Sequence, residues 1–192
     1  MTVAQIPDGH IPTIITYLEM NEPRDPVSLH CPLEIMRWKK PVPAEYLDLF
    51  RAVGERWMWT SRLLMDEAAL CQIIHHDAVE LYAVMDEESR VGIMELDFRQ
   101  AGQCEIGFFG LVPELAGKGY GRWLMSETLR RAWKPDVSRV WLHTCTADSP
   151  SAVPFYLKSG FSAYKREFDT MADPRLSGHL PRNAGPHIPI IS

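Results

Sequence analysis

The sequence predicts a mixed α/β fold, an α+β arrangement in which one central, mostly antiparallel twisted sheet carries helices on both faces. Three observations predict it. Three strand-like runs follow one another at hairpin spacing: Val79 to Met85, Val91 to Phe98 and Cys104 to Val112. The third run leads through a glycine-rich turn straight into an amphipathic helix. Helical and strand-like segments alternate on either side, so the full order reads β, α, α, β, β, β, α, β, α, β. Mixed connections of this kind place helices against the faces of a sheet.

Each element has its own signal. Residues 1–10 read as a loose end, and Ile11 to Met20 is a strand rich in β-branched residues. Residues 21–43 hold Pro23, Pro26, Pro32, Pro41 and Pro43, an irregular connection with a short strand at Leu33 to Trp38. Pro43 opens a helix whose apolar face is Leu47, Phe50, Val53 or Gly54, and Trp57. Trp57 to Ser61 is a bulky loop. Asp66 caps a second helix that turns Ala69, Leu70 and Ile73 inward. Asp86 to Ser89 and Gln100 to Gln103 are hairpin connections.

The helix after the glycine-rich turn spans Gly119 to Trp133. Leu124, Thr128 and Ala132 form one row on it, Met125, Leu129 and Trp133 the next, and Pro135 stops it. Arg139 to Cys145 is a strand. Ser149 and Pro150 supply a cap and a first-turn proline for the last helix, which Gly160 closes and Pro154 bends. Phe161 to Met171 is a further strand. The Pro/Gly-rich tail, 172–192, ends on His187 to Ile191, which reads as a last edge strand.

The bulk numbers bound the function. The 192 residues, 46% of them hydrophobic, suit one domain spanning 1–192. A net charge of -5 argues against a sequence-blind nucleic-acid binder. Lys118, Arg122, Arg130 and Arg131 still offer a local positive patch for a phosphorylated ligand. The four cysteines, Cys31, Cys71, Cys104 and Cys145, have neither paired nor zinc-type spacing. They point to free thiols in a reducing cytoplasm, with no metal. His75-His76-Asp77 reads as a solvated helix end rather than a metal cluster, because adjacent residues point apart. The first residues lack the pattern of a secretion signal, and no run of roughly 18 apolar residues predicts a membrane span.

The segment Ala116-Gly117-Lys118-Gly119-Tyr120-Gly121-Arg122 carries the chemistry. Its glycines let backbone approach a ligand closely. The helix start behind it offers free N–H groups and a positive dipole end, a natural seat for a pyrophosphate. A Walker loop needs Ser or Thr after the lysine, and Gly119 stands there. A dinucleotide fingerprint needs a parallel unit, and an antiparallel meander precedes this loop. A plain glycine-rich turn remains a competing reading of the loop alone.

Two ordered motifs bear on that choice. Gly110 to Gly121 resembles motif A of the GNAT acetyltransferase family, Arg/Gln-x-x-Gly-x-Gly/Ala. Gly119 and Gly121 match it, and Ala116 departs at the first position. Ala152-x-x-x-Tyr156-x-x-x-Gly160-Phe161 resembles motif B, with Ser149 where an Asn often stands. The resemblance covers residues 79–171 well and the first seventy residues only in coarse pattern.

The resemblance implies a sheet splayed between its fourth and fifth strands, here Cys104 to Val112 and Arg139 to Cys145. It implies acetyl-CoA as acyl donor, with the pantetheine arm along Phe109, Leu111, Val112 and Pro113. A bulge at Gly110 would permit the splay, and a backbone N–H near Leu111 or Val112 would polarise the thioester. Gly117, Lys118, Gly119, Tyr120, Gly121 and Arg122 would hold the pyrophosphate, with Ser149 also at the cofactor. Tyr156 would meet the sulfur as general acid.

Amide formation from a thioester is mainly a positioning problem with two proton transfers. Strand alternation places Glu105 with Gly107, Phe109 and Leu111, facing the acceptor, as candidate base. A solvated carboxylate is the equal alternative; Glu95 and then His143 are the next candidates. Cys145 raises an acyl-cysteine route, and direct transfer in a ternary complex is the preferred one. The Phe108-Phe109 pair would line an acyl pocket or fill core. The family's acceptor site falls on Trp57, Met58, Trp59, Thr60 and Arg62, with Glu95 attracting a primary amine of a small molecule or peptide. A non-catalytic CoA-binding module on the same fold is the alternative function, and Ala116 is the feature favouring it. Family members often pair into homodimers through their last strands, a role open to His187 to Ile191. No nucleic-acid or membrane partner is expected.

Overall fold

The computed structural model describes residues 5–24 and 29–191. In chain order the elements are β1 (His10–Met20), β2 (Glu34–Arg37), α1 (Pro43–Gly54), α2 (Glu67–Ile74), β3 (Val79–Asp86), β4 (Ser89–Asp97), β5 (Gln103–Leu111), α3 (Tyr120–Ala132), β6 (Arg139–Cys145), α4 (Ala152–Lys158) and β7 (Ser162–Ala172). The strands form one sheet in the order β2-β3-β4-β5-β6-β1-β7. Among the described residues only β5 and β6 pair in parallel; the other neighbours are antiparallel.

The helices bury opposite faces of this sheet. Tyr46, Phe50 and Val53 of α1 and Leu70 of α2 pack on Leu81, Ala83 and Ile93. Met125 and Ala132 of α3, with Phe155 and Tyr156 of α4, pack on Met94, Leu96, Ile106 and Leu142. Asp66 caps α2 as expected, accepting the Ala69 N–H at 2.7 Å. In α2 Leu70 and Ile74 are the buried residues, in place of Ile73.

The inward face of α1 is Tyr46, Leu49, Phe50 and Val53, not the row from Leu47 to Trp57. The helix ends at Gly54 and a tighter 3-10 turn, Glu55–Trp57, carries the chain on, so the helical period stops short of Trp57. Pro150 is also displaced. It sits in a turn in which the Ala152 N–H donates to the Ser149 carbonyl at 2.8 Å, and α4 starts at Ala152. Pro154 therefore occupies the first turn, where no intrahelical N–H bond exists to lose. It needs no bend.

His187 to Ile191 is not a strand. Its His187 ring nitrogen lies 3.0 Å from the Ala147 carbonyl oxygen, while the buried Arg175 ion-pairs with Asp173 and donates to the carbonyls of Ala184 and Ile188. These contacts fold the tail onto its own chain, packing Leu180 and Ala184 on Ile11, Met58 and Ala147. β7 is consequently the edge of the sheet. The four cysteines are free. Among the described residues no helix is long and apolar enough to cross a membrane.

One irregularity positions everything that follows. Leu96 pairs with Ile106, but Glu95 pairs with Phe108, so Gly107 is an extra residue in β5. This is a β-bulge, and it reverses the side-chain alternation beyond it. The bulge thus falls at Gly107 instead of Gly110. Gly110 has another reason to be glycine: an added Cβ would lie 2.7 Å from Cγ1 of Val53. Val53 is buried and, being β-branched, cannot easily turn aside. Gly110→Ala should therefore cost ~1–3 kcal/mol by overpacking. Urea denaturation measures this; an unshifted midpoint would mean that α1 moves outward freely.

Candidate active site

Sheet geometry makes the opening first. β5 and β6 pair at Gln103–Arg139, Cys104–Val140 and Glu105–Trp141, and then part. The parting is the splay that the sequence motifs imply. The Val112 N–H donates to the Val91 carbonyl at 2.9 Å, so it belongs to the β4 side and is not free to polarise a thioester. Backbone groups alternate in direction along an antiparallel strand. Those of Phe109 and Leu111 accordingly face the gap.

The glycine-rich loop lies at one end of this gap. Pro113–Leu115 forms a 3-10 turn that ends β5, and Ala116 follows, exposed and extended. Gly117 (φ 77°) and Gly119 (φ 81°) adopt left-handed backbone, and an added Cβ at either would meet open space. They are glycines for their backbone conformation, not for packing. Gly119 caps α3 with no side chain bonded to the first N–H groups; the Arg122 N–H turns back to the Gly119 carbonyl at 3.1 Å, and those of Tyr120 and Gly121 are left to an anion. Lys118 and Arg122 are exposed or half-exposed beside them. Tyr120 packs partly inward with Leu33 and Leu124, so its backbone alone serves the loop.

A cleft of about 1020 Å³ continues from the start of α3 through the gap to the opposite face of the sheet. It brings together Gly121, Arg122, Phe109, Ser149, Tyr156, Glu105, Glu95, Trp57 and Trp59. Leu111, Val112, Pro113, Gly117, Lys118, Gly119 and Tyr120 lie outside its walls. Phe109 and Phe108 diverge, as the bulge demands. Phe109 meets Phe155 and Tyr156 at 5.9 and 6.3 Å between ring centroids, while Phe108 meets Phe50 and Trp59 at 4.8 and 5.0 Å. Tyr156 is enclosed by Phe109, Phe155 and Phe161, and burial, then Asp148, pushes its hydroxyl well above the ordinary phenol range. It holds its proton at neutral pH and can donate it.

The bulge also corrects the setting of Glu105. Glu105 pairs with Asp97, and the bulge puts it on the face of Phe108 and Gly110 rather than that of Phe109 and Leu111. It still lines the acceptor side of the cleft. Its Oε1 lies 3.3 Å from His143 Nδ1.

Glu95 is not available as a base. It is 1% exposed, accepts the Tyr46 hydroxyl at 3.0 Å and pairs with Arg62 at 2.7 Å. Burial pushes its carboxyl above the ordinary value, against the pull of Arg62 and Tyr46. Arg62 also lies 5.0 Å over the Phe108 ring, so the pair forms part of the cleft floor.

Two structural carboxylates gave no sequence signal. Asp148 accepts the Trp59 indole N–H at 3.1 Å, the Thr144 hydroxyl at 2.7 Å and the Cys145 N–H at 2.9 Å. It ties the Trp59 loop to the end of β6. Burial works to raise the Asp97 carboxyl, but its bonds from Arg99 hold it below the usual range. The Asp148 bond to Trp59 joins residues 89 apart, a contact that single-sequence spacing does not encode, whereas Asp97 and Arg99 are two residues apart. Burial, then Asp148, pushes the Cys145 thiol up, which leaves little thiolate for an acyl-cysteine route. His75 meets the Pro41 carbonyl and His76 accepts the Ala78 N–H, and no metal-ligand group is found among the described residues.

The buried pair predicts a pH-dependent fault. Arg62→Ala strands the Glu95 carboxylate, which should cost ~3–5 kcal/mol at neutral pH. A carboxyl raised in the folded state binds more protons folded than unfolded over its titration range, so stability falls as pH rises. The deficit should shrink below the ordinary carboxylate range, where Glu95 is neutral in both states, and Glu95→Gln should relieve it. Chemical denaturation across pH checks this; a deficit constant with pH would contradict the pairing.

Comparisons agree with the geometry. The chain matches the family model for the acetyltransferase (GNAT) family over residues 43–161, more than half its length. Among curated proteins none matches. A functionally unknown conserved protein from Staphylococcus epidermidis superposes with a TM-score of 0.60 at 16% identity, covering 86% of this chain and 63% of that one. A GCN5-related N-acetyltransferase from Sphaerobacter thermophilus superposes with a TM-score of 0.59 at 20% identity, covering 85% and 53%. The chain thus spans less than two thirds of either protein. A GNAT-family acetyltransferase from Streptococcus pneumoniae gives 0.51 at 23% identity, covering 68% of this chain and 87% of that one. These likenesses concern the fold. With the family match spanning both motifs and both splayed strands, the chain belongs to the GNAT acetyltransferase family.

Proposed function

We propose that the protein transfers an acetyl group from acetyl-CoA to a primary amine by direct attack in a ternary complex. One observation carries the reading: a single cleft joins the start of α3, Tyr156 and the wall of Trp57, Trp59 and Glu105. Donor and acceptor then meet from opposite faces of the sheet.

On this reading the gap takes the pantetheine arm, whose amides meet the backbone of Phe109 and Leu111. Backbone N–H groups at Gly119 to Gly121 hold the pyrophosphate, and Lys118 and Arg122 supply positive charge. The loop adopts its glycine conformation with only Ala116 at the first motif position, which supports cofactor binding despite that departure. The amine attacks the thioester carbonyl, the carbon–sulfur bond breaks, and Tyr156 gives its proton to the leaving sulfur. The place of Tyr156 in the cleft wall, against Phe109 of the parted strand, supports this role. The amine loses its proton on the Glu105 side.

A second copy of the chain would meet β7, which is the sheet edge and exposes Tyr164 and Phe168. Sedimentation of wild type and Phe168→Lys tests pairing; a wild-type monomer refutes it.

Calorimetry with acetyl-CoA should show one site per chain, and a panel of primary amines should yield thiol release for one class. Tyr156→Phe should lower kcat by ~10²–10⁴-fold with acetyl-CoA affinity unchanged. Absence of binding would remove the acetyl-CoA reading. An equal loss of affinity would make Tyr156 a packing residue.

A further inference from the structure

We propose that His143 is the catalytic base, accepting the acceptor amine's proton at Nε2, and that Glu105 is the positioning residue that orients its ring. This rests on the acetyltransferase reading and deepens it.

The two side chains meet where the strands part. Glu105 and Trp141 are the last paired residues of β5 and β6. His143 is two residues further along β6, on the face of Trp141, so it is the first side chain of that face past the parting. Both Glu105 and His143 line the cleft. Their 3.3 Å contact crosses the mouth of the gap. Such a contact is long for a hydrogen bond, and catalytic contacts commonly shorten once substrate binds.

The other carboxylates of the cleft are engaged. Glu95 holds Arg62 and Tyr46, Asp97 holds Arg99, and Asp148 holds Trp59, Thr144 and the Cys145 backbone. Asp169 lies on β7, three strands away from β5 in the sheet, and accepts the Thr170 N–H. That leaves Glu105 and His143 at the parting.

His143 has what a base needs. Its side chain is 46% exposed, against 25% for Glu105, so a substrate reaches the imidazole more readily than the carboxylate. Its ring is steadied by Trp141 and Tyr17, with centroids at 6.4 and 5.8 Å. A carboxylate at Nδ1 favours the tautomer with the proton there, which frees the Nε2 lone pair. The charged surroundings are simple. Glu105 faces the ring from β5, Tyr17 from β1, and Cys145 lies along β6. From β7, Lys165 and Glu167 engage Tyr17 rather than His143. The bond to Glu167 pushes the Tyr17 hydroxyl up to about 12, so it stays neutral and does not compete as base.

The step balances. As the amine nitrogen bonds to the acetyl carbon, its proton passes to His143 Nε2. The carbon–sulfur bond breaks and the thiolate takes the Tyr156 proton. His143 is left with one proton more and Tyr156 with one fewer, and solvent restores both.

The test uses the full chain, with acetyl-CoA and the amine that gives fastest thiol release. His143→Ala should lose ~10²–10⁴-fold in kcat while calorimetry shows unchanged acetyl-CoA affinity. Added imidazole should restore part of that rate. Glu105→Gln should lose less and gain nothing from imidazole. Long-range proton–nitrogen NMR of wild type should place the His143 proton on Nδ1, and Glu105→Gln should weaken that preference. An undiminished rate in His143→Ala, no rescue by imidazole, or a proton on Nε2 in wild type would each overturn the assignment. Wild type that binds acetyl-CoA but releases no thiol with any amine would instead overturn the transferase reading beneath it. The tautomer would then still report whether Glu105 orients the ring.

Discussion

A sheet is held together by backbone groups that must find partners, and β5 and β6 stop supplying them to each other after three residue pairs. A buried N–H or carbonyl left alone costs about 1–3 kcal/mol, so the gap is tolerable only where solvent or a ligand fills it. The backbone of Phe109 and Leu111 faces this gap while Val112 is drawn back to β4. An elongated guest with its own amides would complete the interrupted ladder. The placement of the glycine-rich loop follows, because the chain leaving β5 must turn at Pro113–Leu115 before α3 can start. The same parting exposes side chains from both strands to a single cleft.

An opening in a sheet has to be braced from outside. The aromatic cluster of Phe109, Phe155 and Tyr156 braces one face. On the other, Asp148 joins the end of β6 to Trp59, and Trp59 stands against Phe50 and Phe108. Trp59 is therefore a wall of the cleft and a tie across it at once. The carboxylates divide in the same way. Those with several donors fix the shape of the cleft, whereas Glu105 makes one long contact and keeps capacity to change partner.

The sequence was legible where the signal is local. The three-strand meander, the glycine-to-helix transition and β6 follow from period, turn residues and prolines, and the structure has them within a residue or two. Asp66 caps its helix because capping needs only a side chain three residues from an N–H. The two motifs located Tyr156 and the loop. What was illegible is long-range. The bulge at Gly107 depends on how two strands register, and no local pattern separates a bulge glycine from any other. The tail holds apolar residues that suit an edge strand, yet the buried Arg175 gathers its carbonyls into turns. Asp148 and Tyr46 act through partners 89 and 49 residues away. Glu95 read as an acceptor-facing carboxylate because Arg62 and Tyr46 are nowhere near it in sequence.

The bulge links these separate facts. A Cβ on Gly107 would lie 3.0 Å from the Glu95 carboxylate oxygen, so the buried ion pair and the bulge occupy neighbouring space. Because β5 gains a residue there, consecutive phenylalanines go to opposite faces with the phase that each helix layer requires. Phe108 meets α1 and carries Arg62 above it, while Phe109 meets α4 beside Tyr156. Without the extra residue Glu105 would share a face with Phe109, away from Trp59 and His143. A single glycine in strand phase thus sets Glu105 on the side of Trp59 and His143 while Phe109 stays on the side of Tyr156. The parting of β5 and β6 is what lets the two sides meet.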